Sequence, residues 1–178
     1  MVTDMSKGTT WRVLLNFSLP LLLSAVFQQL YNMADTVIAG RCLGENALAA
    51  VGSSFPITMI FMAFALGSTQ GASVAISRLF GEKKLTEMKT AIFTTYISIT
   101  ALSLILSVFG VIFCSPMLEA MNTNADIMAD AADYLRIYTL GLVFLFAYNI
   151  ATCVFSSLGD SKTPLALLVC SSVGNIIL

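Results

Sequence analysis

Long stretches without charge alternate with short polar segments along this chain. No Asp, Glu, Lys or Arg occurs between Arg12 and Asp35, Glu45 and Arg78, Lys89 and Glu119, Arg136 and Asp160, or after Lys162, which leaves runs of 22, 32, 29, 23 and 16 residues. A helix that crosses a bilayer needs about 20 predominantly apolar residues. The pattern therefore predicts an all-α polytopic transmembrane bundle, with four complete helices near 13–39, 51–77, 91–113 and 134–156 and a fifth over 164–178. The fifth run would rise only about 21 Å as a helix, short of the ~30 Å hydrocarbon core. It is expected to be truncated, and the chain to be a fragment of a longer protein.

Composition agrees with this reading. The 178 residues are 57% hydrophobic and 11% charged, against about 25% charged in soluble domains. The nine basic residues set the orientation, because basic residues are retained on the cytoplasmic side. With the N-terminus inside, Lys7, Arg12, Arg78, Lys83, Lys84, Lys89 and Lys162 are cytoplasmic, and only Arg41 and Arg136 are outside. Glu119, Asp126, Asp130 and Asp133 then gather on the opposite face. The first apolar run is too long for a signal-peptide core of about 7–15 residues, so it is expected to be a retained helix. Cys114, Cys153 and Cys170 lie in or beside apolar spans, where cysteine behaves as a small hydrophobe; a Cys42–Cys114 disulfide on the outer face stays open.

Local signals place the connections. Pro20 falls in the first helix and Pro56 in the second, where a membrane protein tolerates the lost backbone bond if neighbours re-satisfy it. Gly67, Gly71 and Ala75 recur every four residues on the second helix, the spacing of a close helix-packing seam, with a substrate passage or hinge as the alternative. RLFGEKKLTEMK, residues 78–89, reads as a solvated connector with Gly81 stopping the helix. Asn124 reads as a helix N-cap followed by acids that the helix dipole favours. In SSLGDSKTP, residues 156–164, Gly159 fits a C-terminal cap and Pro164 a helix opening.

Polar residues inside the apolar runs are the candidates for chemistry. FQQLYNMADTVIAG, residues 27–40, holds Gln28, Gln29, Asn32 and Asp35. At about 100° per residue from Ser24, Tyr31 falls near −20°, Asp35 near 20°, Gln28 near 40° and Asn32 near 80°, while Gln29 lies off this stripe near 140°. An ionised Asp at the bilayer centre costs about 2.5–3.5 kcal/mol on insertion scales, so this position calls for a proton or a cation. Oxygen ligands suit Na⁺, and Asp35 is the one metal-ion candidate. A structural role remains open, with Asp35 reaching the headgroups or pairing with Arg41. Gln70, Asn149 and Asn175 are further polar candidates, and Met59 and Met62 offer a pliable apolar wall.

Enzyme chemistry finds little purchase here. There is no histidine, and no metalloprotease, phosphate-loop or serine-elbow string occurs. Asp35 with Asp160 as an intramembrane aspartyl protease pair fails on the string SLGD, which lacks the first glycine of the usual motif. Neither a resident cofactor nor a nucleic-acid partner is expected.

SLPLLLS (18–24), ADTVIAG (34–40), LGENALAAVG (43–52, a short outer turn), Pro56, ISRLFGEKK (76–84) and LGDSKTP (158–164), followed by Asn175, resemble in order and spacing the multidrug and toxic compound extrusion (MATE) transporters. The resemblance covers essentially the whole chain. It implies a twelve-helix protein of two six-helix lobes in the cell membrane, of which this chain would be most of the first lobe. Such a protein exports cationic and amphipathic compounds in exchange for Na⁺ or H⁺. Asp35 matches the family's coupling aspartate, and Asn175 an asparagine near the same cavity. Gln28, Tyr31, Asn32, Gln70, Asn149 and Asn175 are expected to line the polar part of that cavity. One departure is that Ser156 and Ser157 stand where many members carry a basic residue. The rival readings are a flippase for lipid-linked precursors, which would want a basic cavity, and a non-transporting fragment or assembly partner.

Overall fold

Each apolar run forms one helix. The computed structural model describes residues 10–42 and 44–177, without the side chains at 10, 35, 39, 42 and 175–177. In order these are α1 (Thr10–Cys42), α2 (Gly44–Gly81), α3 (Leu85–Ala120), a 3-10 turn (Ala125–Ile127), α4 (Met128–Ser157) and α5 (Lys162–Ile177). Helices α1 to α4 each contain a stretch long and apolar enough to cross a membrane. They overrun the predicted spans because gaps in charge mark only the hydrocarbon layer. Backbone hydrogen bonds continue through the headgroups until something stops them.

What stops them is a left-handed residue in every turn: Gly44 (φ 84°), Lys83 (58°), Asn122 (54°) and Gly159 (80°). After three of the helices the chain closes with a six-to-one bond, from Lys84 N to Leu79 O (3.0 Å), Thr123 N to Leu118 O (3.2 Å) and Asp160 N to Phe155 O (2.9 Å). This is the Schellman arrangement, which satisfies otherwise orphaned carbonyls. Gly81 is thus the last helical residue of α2, and the reversal itself falls on Lys83. The predicted outer turn over 43–52 is much shorter, since α2 is already helical from Gly44. Gly159 occupies its expected capping place. A side chain in the left-handed region costs about 1–2 kcal/mol, so Gly159→Ala should lower stability by that amount, read as a fall in thermal midpoint in detergent. An unchanged midpoint would show that this turn relaxes freely.

Asn124 caps as expected, its Oδ1 accepting from the Asp126 backbone N–H at 3.2 Å. Pro20, Pro56 and Pro116 all lie inside helices that continue past them. Pro164 sits in the first turn of α5, where a missing N–H costs nothing. Asp160, only 7% exposed, caps that turn. Its Oδ1 accepts from the Lys162 and Thr163 backbone N–H groups at 3.2 Å each, and its Oδ2 from the Thr163 hydroxyl at 2.8 Å. This capping role leaves no case for Asp160 as half of a protease pair.

Helices α2, α3 and α4 share one core. Ile57, Phe61 and Ala65 of α2 pack with Ile99, Cys114 and Leu118 of α3 and with Leu135, Leu142, Phe146 and Ile150 of α4. Buried hydroxyls in it return to their own helix: Ser54 to Ala50 O (2.9 Å), Ser103 to Thr100 O (2.8 Å) and Thr139 to Arg136 O (3.0 Å). Small residues satisfied in this way let backbones approach. Gly110 is the tightest point, where an added Cβ would collide with the Thr139 methyl, lie 2.9 Å from the Thr139 Cβ and 3.2 Å from the Phe61 ring. Cys114 is a free buried thiol, and the Cys42 side chain lies outside the described set. Helix α1 packs on α5 and α2, beside this core rather than within it.

The outer faces are as apolar as the core, with Ile105, Val108, Ile112, Leu140 and Phe144 exposed. In water such a surface would aggregate. In lipid it is the natural outside of a bundle. Gly67, Gly71 and Ala75 belong to that outer surface too, and a Cβ at Gly67 or Gly71 would meet nothing within 4 Å. The stripe is therefore no seam between these helices. The seam on α2 runs instead along Ala65, Thr69 and Ile76, all buried, because only that face turns toward α4.

Candidate functional site

Helices α2 and α4 touch through pairs offset by a constant 84 residues. The Cys153 thiol donates to the Thr69 carbonyl at 3.1 Å, and the Ser73 and Ser157 hydroxyls share a hydrogen bond at 2.9 Å. A constant offset means that the two helices run parallel, as two helices of an up-and-down bundle must when one helix, here α3, lies between them in the chain. Ser157 also donates to the Cys153 carbonyl at 2.7 Å, which anchors the small-residue contact.

Beside this contact opens a cavity of about 920 Å³. From α1 it takes Phe17 and Leu21, and from α2 Leu66, Thr69, Gln70, Ser73, Ser77 and Phe80. From α4 it takes Asn149, Thr152, Cys153, Ser156 and Ser157, and the connecting turns add Lys83 and Gly159. The lining comes from the start of α1 and the ends of α2 and α4. It therefore lies toward the end of the bundle that carries the basic residues, the side assigned to the cytoplasm by charge.

Two of the predicted lining residues meet here, Gln70 and Asn149. Asn149 turns its Nδ2 back to the Leu145 carbonyl at 2.8 Å. Gln70 is exposed and makes no hydrogen bond among the described residues. Gln28, Tyr31 and Asn32 do not border the cavity; Gln28 and Asn32 are exposed and Tyr31 half-buried. Asp35 lies on α1 and Asn175 on α5, but both side chains fall outside the described set. The physical reason for the separation is distance along α1. From Leu21 to Gln28 the helix rises about 10 Å, roughly two turns.

The face is nevertheless continuous. At about 100° per residue from Ser24, Phe17 falls near 20° and Leu21 near 60°, within the sector of Gln28, Tyr31 and Asp35. One side of α1 thus borders the cavity at its start and carries the polar stripe further on. Sequence reasoning missed Ser73, Ser77, Thr152 and Ser156, since single hydroxyls are ordinary in membrane helices and carry no pattern. It also missed Lys83, which looked like part of a solvated connector.

Electrostatics at the mouth are uneven. Arg78 Nε lies 2.9 Å from Glu82 Oε1, and Lys84 Nζ 3.1 Å from Glu82 Oε2. Hydrogen bonds from Arg78 and then Lys84 hold the Glu82 carboxyl below its ordinary range. Such exposed pairs add little stability. Their consequence is positional, for they occupy Arg78, Lys84 and Glu82 with one another. No cluster of metal-ligating side chains occurs among the described residues.

The family model described as MatE matches residues 20–178. A probable multidrug resistance protein of Bacillus subtilis (strain 168), YoeA, is 36% identical over 173 residues, covering 97% of this chain and 37% of that protein. An FAD transporter of Shewanella oneidensis is 30% identical over 171 residues, covering 94% and 37%. A crystal structure of MATE in a bent conformation superposes with a TM-score of 0.87 at 25% identity, covering 96% of this chain and 38% of that one. A MOP superfamily transporter from Pyrococcus furiosus, at 24% identity and a TM-score of 0.91, shows the same fold. The chain spans less than two fifths of these curated relatives.

Proposed function

Because this chain belongs to the MatE family of membrane transporters, we propose that it forms most of the first lobe of a secondary active exporter, which moves amphipathic small molecules out of the cell in exchange for Na⁺ or H⁺. The observation that carries this reading is the cavity of about 920 Å³. Small-molecule sites typically enclose about 300–1,000 Å³, whereas helices that merely pack leave few voids larger than a water. Relatives named as multidrug resistance proteins and as an FAD transporter support a small-molecule cargo.

Asp35 is the coupling carboxylate in this reading, protonated or cation-bound in one state and released in the other. It sits about 21 Å along α1 from Leu21, on the face that borders the cavity. Gln28, Tyr31, Asn32 and Asn175 would carry the polar path between the two. Exposed amides on a membrane-crossing helix are costly in lipid, which favours their being covered by a second lobe or a water-filled passage.

The test is a change of volume in the cavity of the full-length protein. Gln70→Trp should cut efflux of an amphipathic dye from proteoliposomes about tenfold or more, a loss of 1.4 kcal/mol or greater. Phe93→Trp, on an outward face of α3 and 66% exposed, should leave efflux unchanged. Equal rates in the two variants would rule out this cavity as part of the route.

A further inference from the structure

The cavity mouth carries a charge of its own. Among the described lining residues Lys83 is the single charged one, and it is a cation. Its neighbours Arg78 and Lys84 are both engaged by Glu82. Lys83 makes no ion pair among the described residues. Its backbone is held at φ 58° by the turn that closes α2, so its side chain leaves the chain in a direction different from that of the flanking residues. A lone cation at the edge of a low-dielectric cavity attracts negative charge, and nothing in the described lining repels it.

The rest of the lining completes the match. Phe17, Leu21, Leu66 and Phe80 give an apolar wall, and Gln70 and Asn149 give amides. We propose that this cavity selects amphipathic anions: an aromatic or alkyl body against the Phe17 and Phe80 wall, with a carboxylate or phosphate group on the Lys83 ammonium. The proposal rests on the cavity being a transport vestibule and names the substrate charge it favours.

Two dyes built on one xanthene ring system test it, anionic fluorescein and cationic rhodamine 123. Binding to the purified protein in neutral detergent is followed by fluorescence anisotropy. Fluorescein should bind more tightly than rhodamine 123, and the preference should shrink in high salt. Lys83→Gln should weaken fluorescein about tenfold, in line with losing one close charge at a partly solvated site, and Lys83→Glu should reverse the preference. Lys84→Gln, one residue away and outside the cavity, should do neither. Tighter binding of rhodamine 123 to the unaltered protein, or equal responses to Lys83→Gln and Lys84→Gln, would overturn the proposal while leaving the vestibule intact. If neither dye binds, the proposal fails together with the vestibule reading. Nanodiscs with and without phosphatidylglycerol separate the sources of the anion. Fluorescein displaced only by the acidic membrane marks a lipid headgroup as the occupant of Lys83, and undisturbed binding marks a solute; both place the anion at this site.

Discussion

Asp35→Asn in the full-length protein should abolish gradient-driven efflux while leaving substrate binding measurable. Coupling free energies between ion and substrate sites are commonly about 1–3 kcal/mol, or 5- to 150-fold, and removing the titratable group should forfeit all of it. The assay is efflux of a dye from proteoliposomes under an imposed Na⁺ or pH gradient, with equilibrium dye binding measured alongside. Asp35→Glu keeps the carboxylate and should retain part of the coupling. Coupled transport by Asp35→Asn at the unaltered rate would remove Asp35 from the mechanism, and the alternative of a carboxylate serving the headgroup layer or Arg41 would take its place. Which gradient drives efflux would also tell Na⁺ from H⁺.

The second large effect is structural. Gly110→Leu should unfold or severely destabilise the bundle, and Gly110→Ala should cost about 1–3 kcal/mol, the usual penalty of overpacking. The collision is with Thr139, a fully buried, branched side chain. Thr139→Ala should therefore recover part of the loss, with a coupling of about 0.5–3 kcal/mol in a double-mutant cycle. Gly141→Ala is the control. A Cβ there meets nothing within 4 Å, so the better helix propensity of alanine should make it neutral or stabilising by up to about 1 kcal/mol. Thermal unfolding in detergent reads these variants and the Gly110/Thr139 double variant. Additive losses at Gly110 and Thr139 would mean that the Gly110→Ala penalty does not come from contact with Thr139.

The sequence was a poor guide to which apolar residue faces which way. In LVFLFAY, residues 142–148, Phe144 is 79% exposed and Phe146 fully buried. In a soluble helix the exposed position would be polar and the face legible. In lipid both sides favour the same side chains, so apolar periodicity carries little information and packing is decided by shape. The Gly67, Gly71 and Ala75 stripe shows the same effect, for it is exposed among the described helices. Small residues at four-residue spacing are compatible with a seam, but which stripe of α2 meets α4 depends on a parallel contact 84 residues away in the chain.

Among the polar candidates, Gln70 and Asn149 border the cavity while Gln28, Tyr31 and Asn32 do not. Gln70 and Asn149 were readable as cavity-lining candidates because an amide in a membrane helix needs a reason, and the fold brings both to one cavity. Lys83 was not, because its string is that of an ordinary connector and only the left-handed turn brings it to the mouth.

By itself, the sequence determined the number of membrane-length helices, their order and the family, and its basic residues point to the cytoplasmic end. All of these follow from local runs of apolar residues, the placement of charge and short motifs. The tertiary structure alone decided that α2 and α4 pair in parallel, that Gly110 leaves no room for a Cβ against Thr139 and that the cavity is bordered by Lys83 and not by Gln28, Tyr31 or Asn32. Those outcomes depend on side-chain volume meeting side-chain volume across distant segments, which hydropathy does not record.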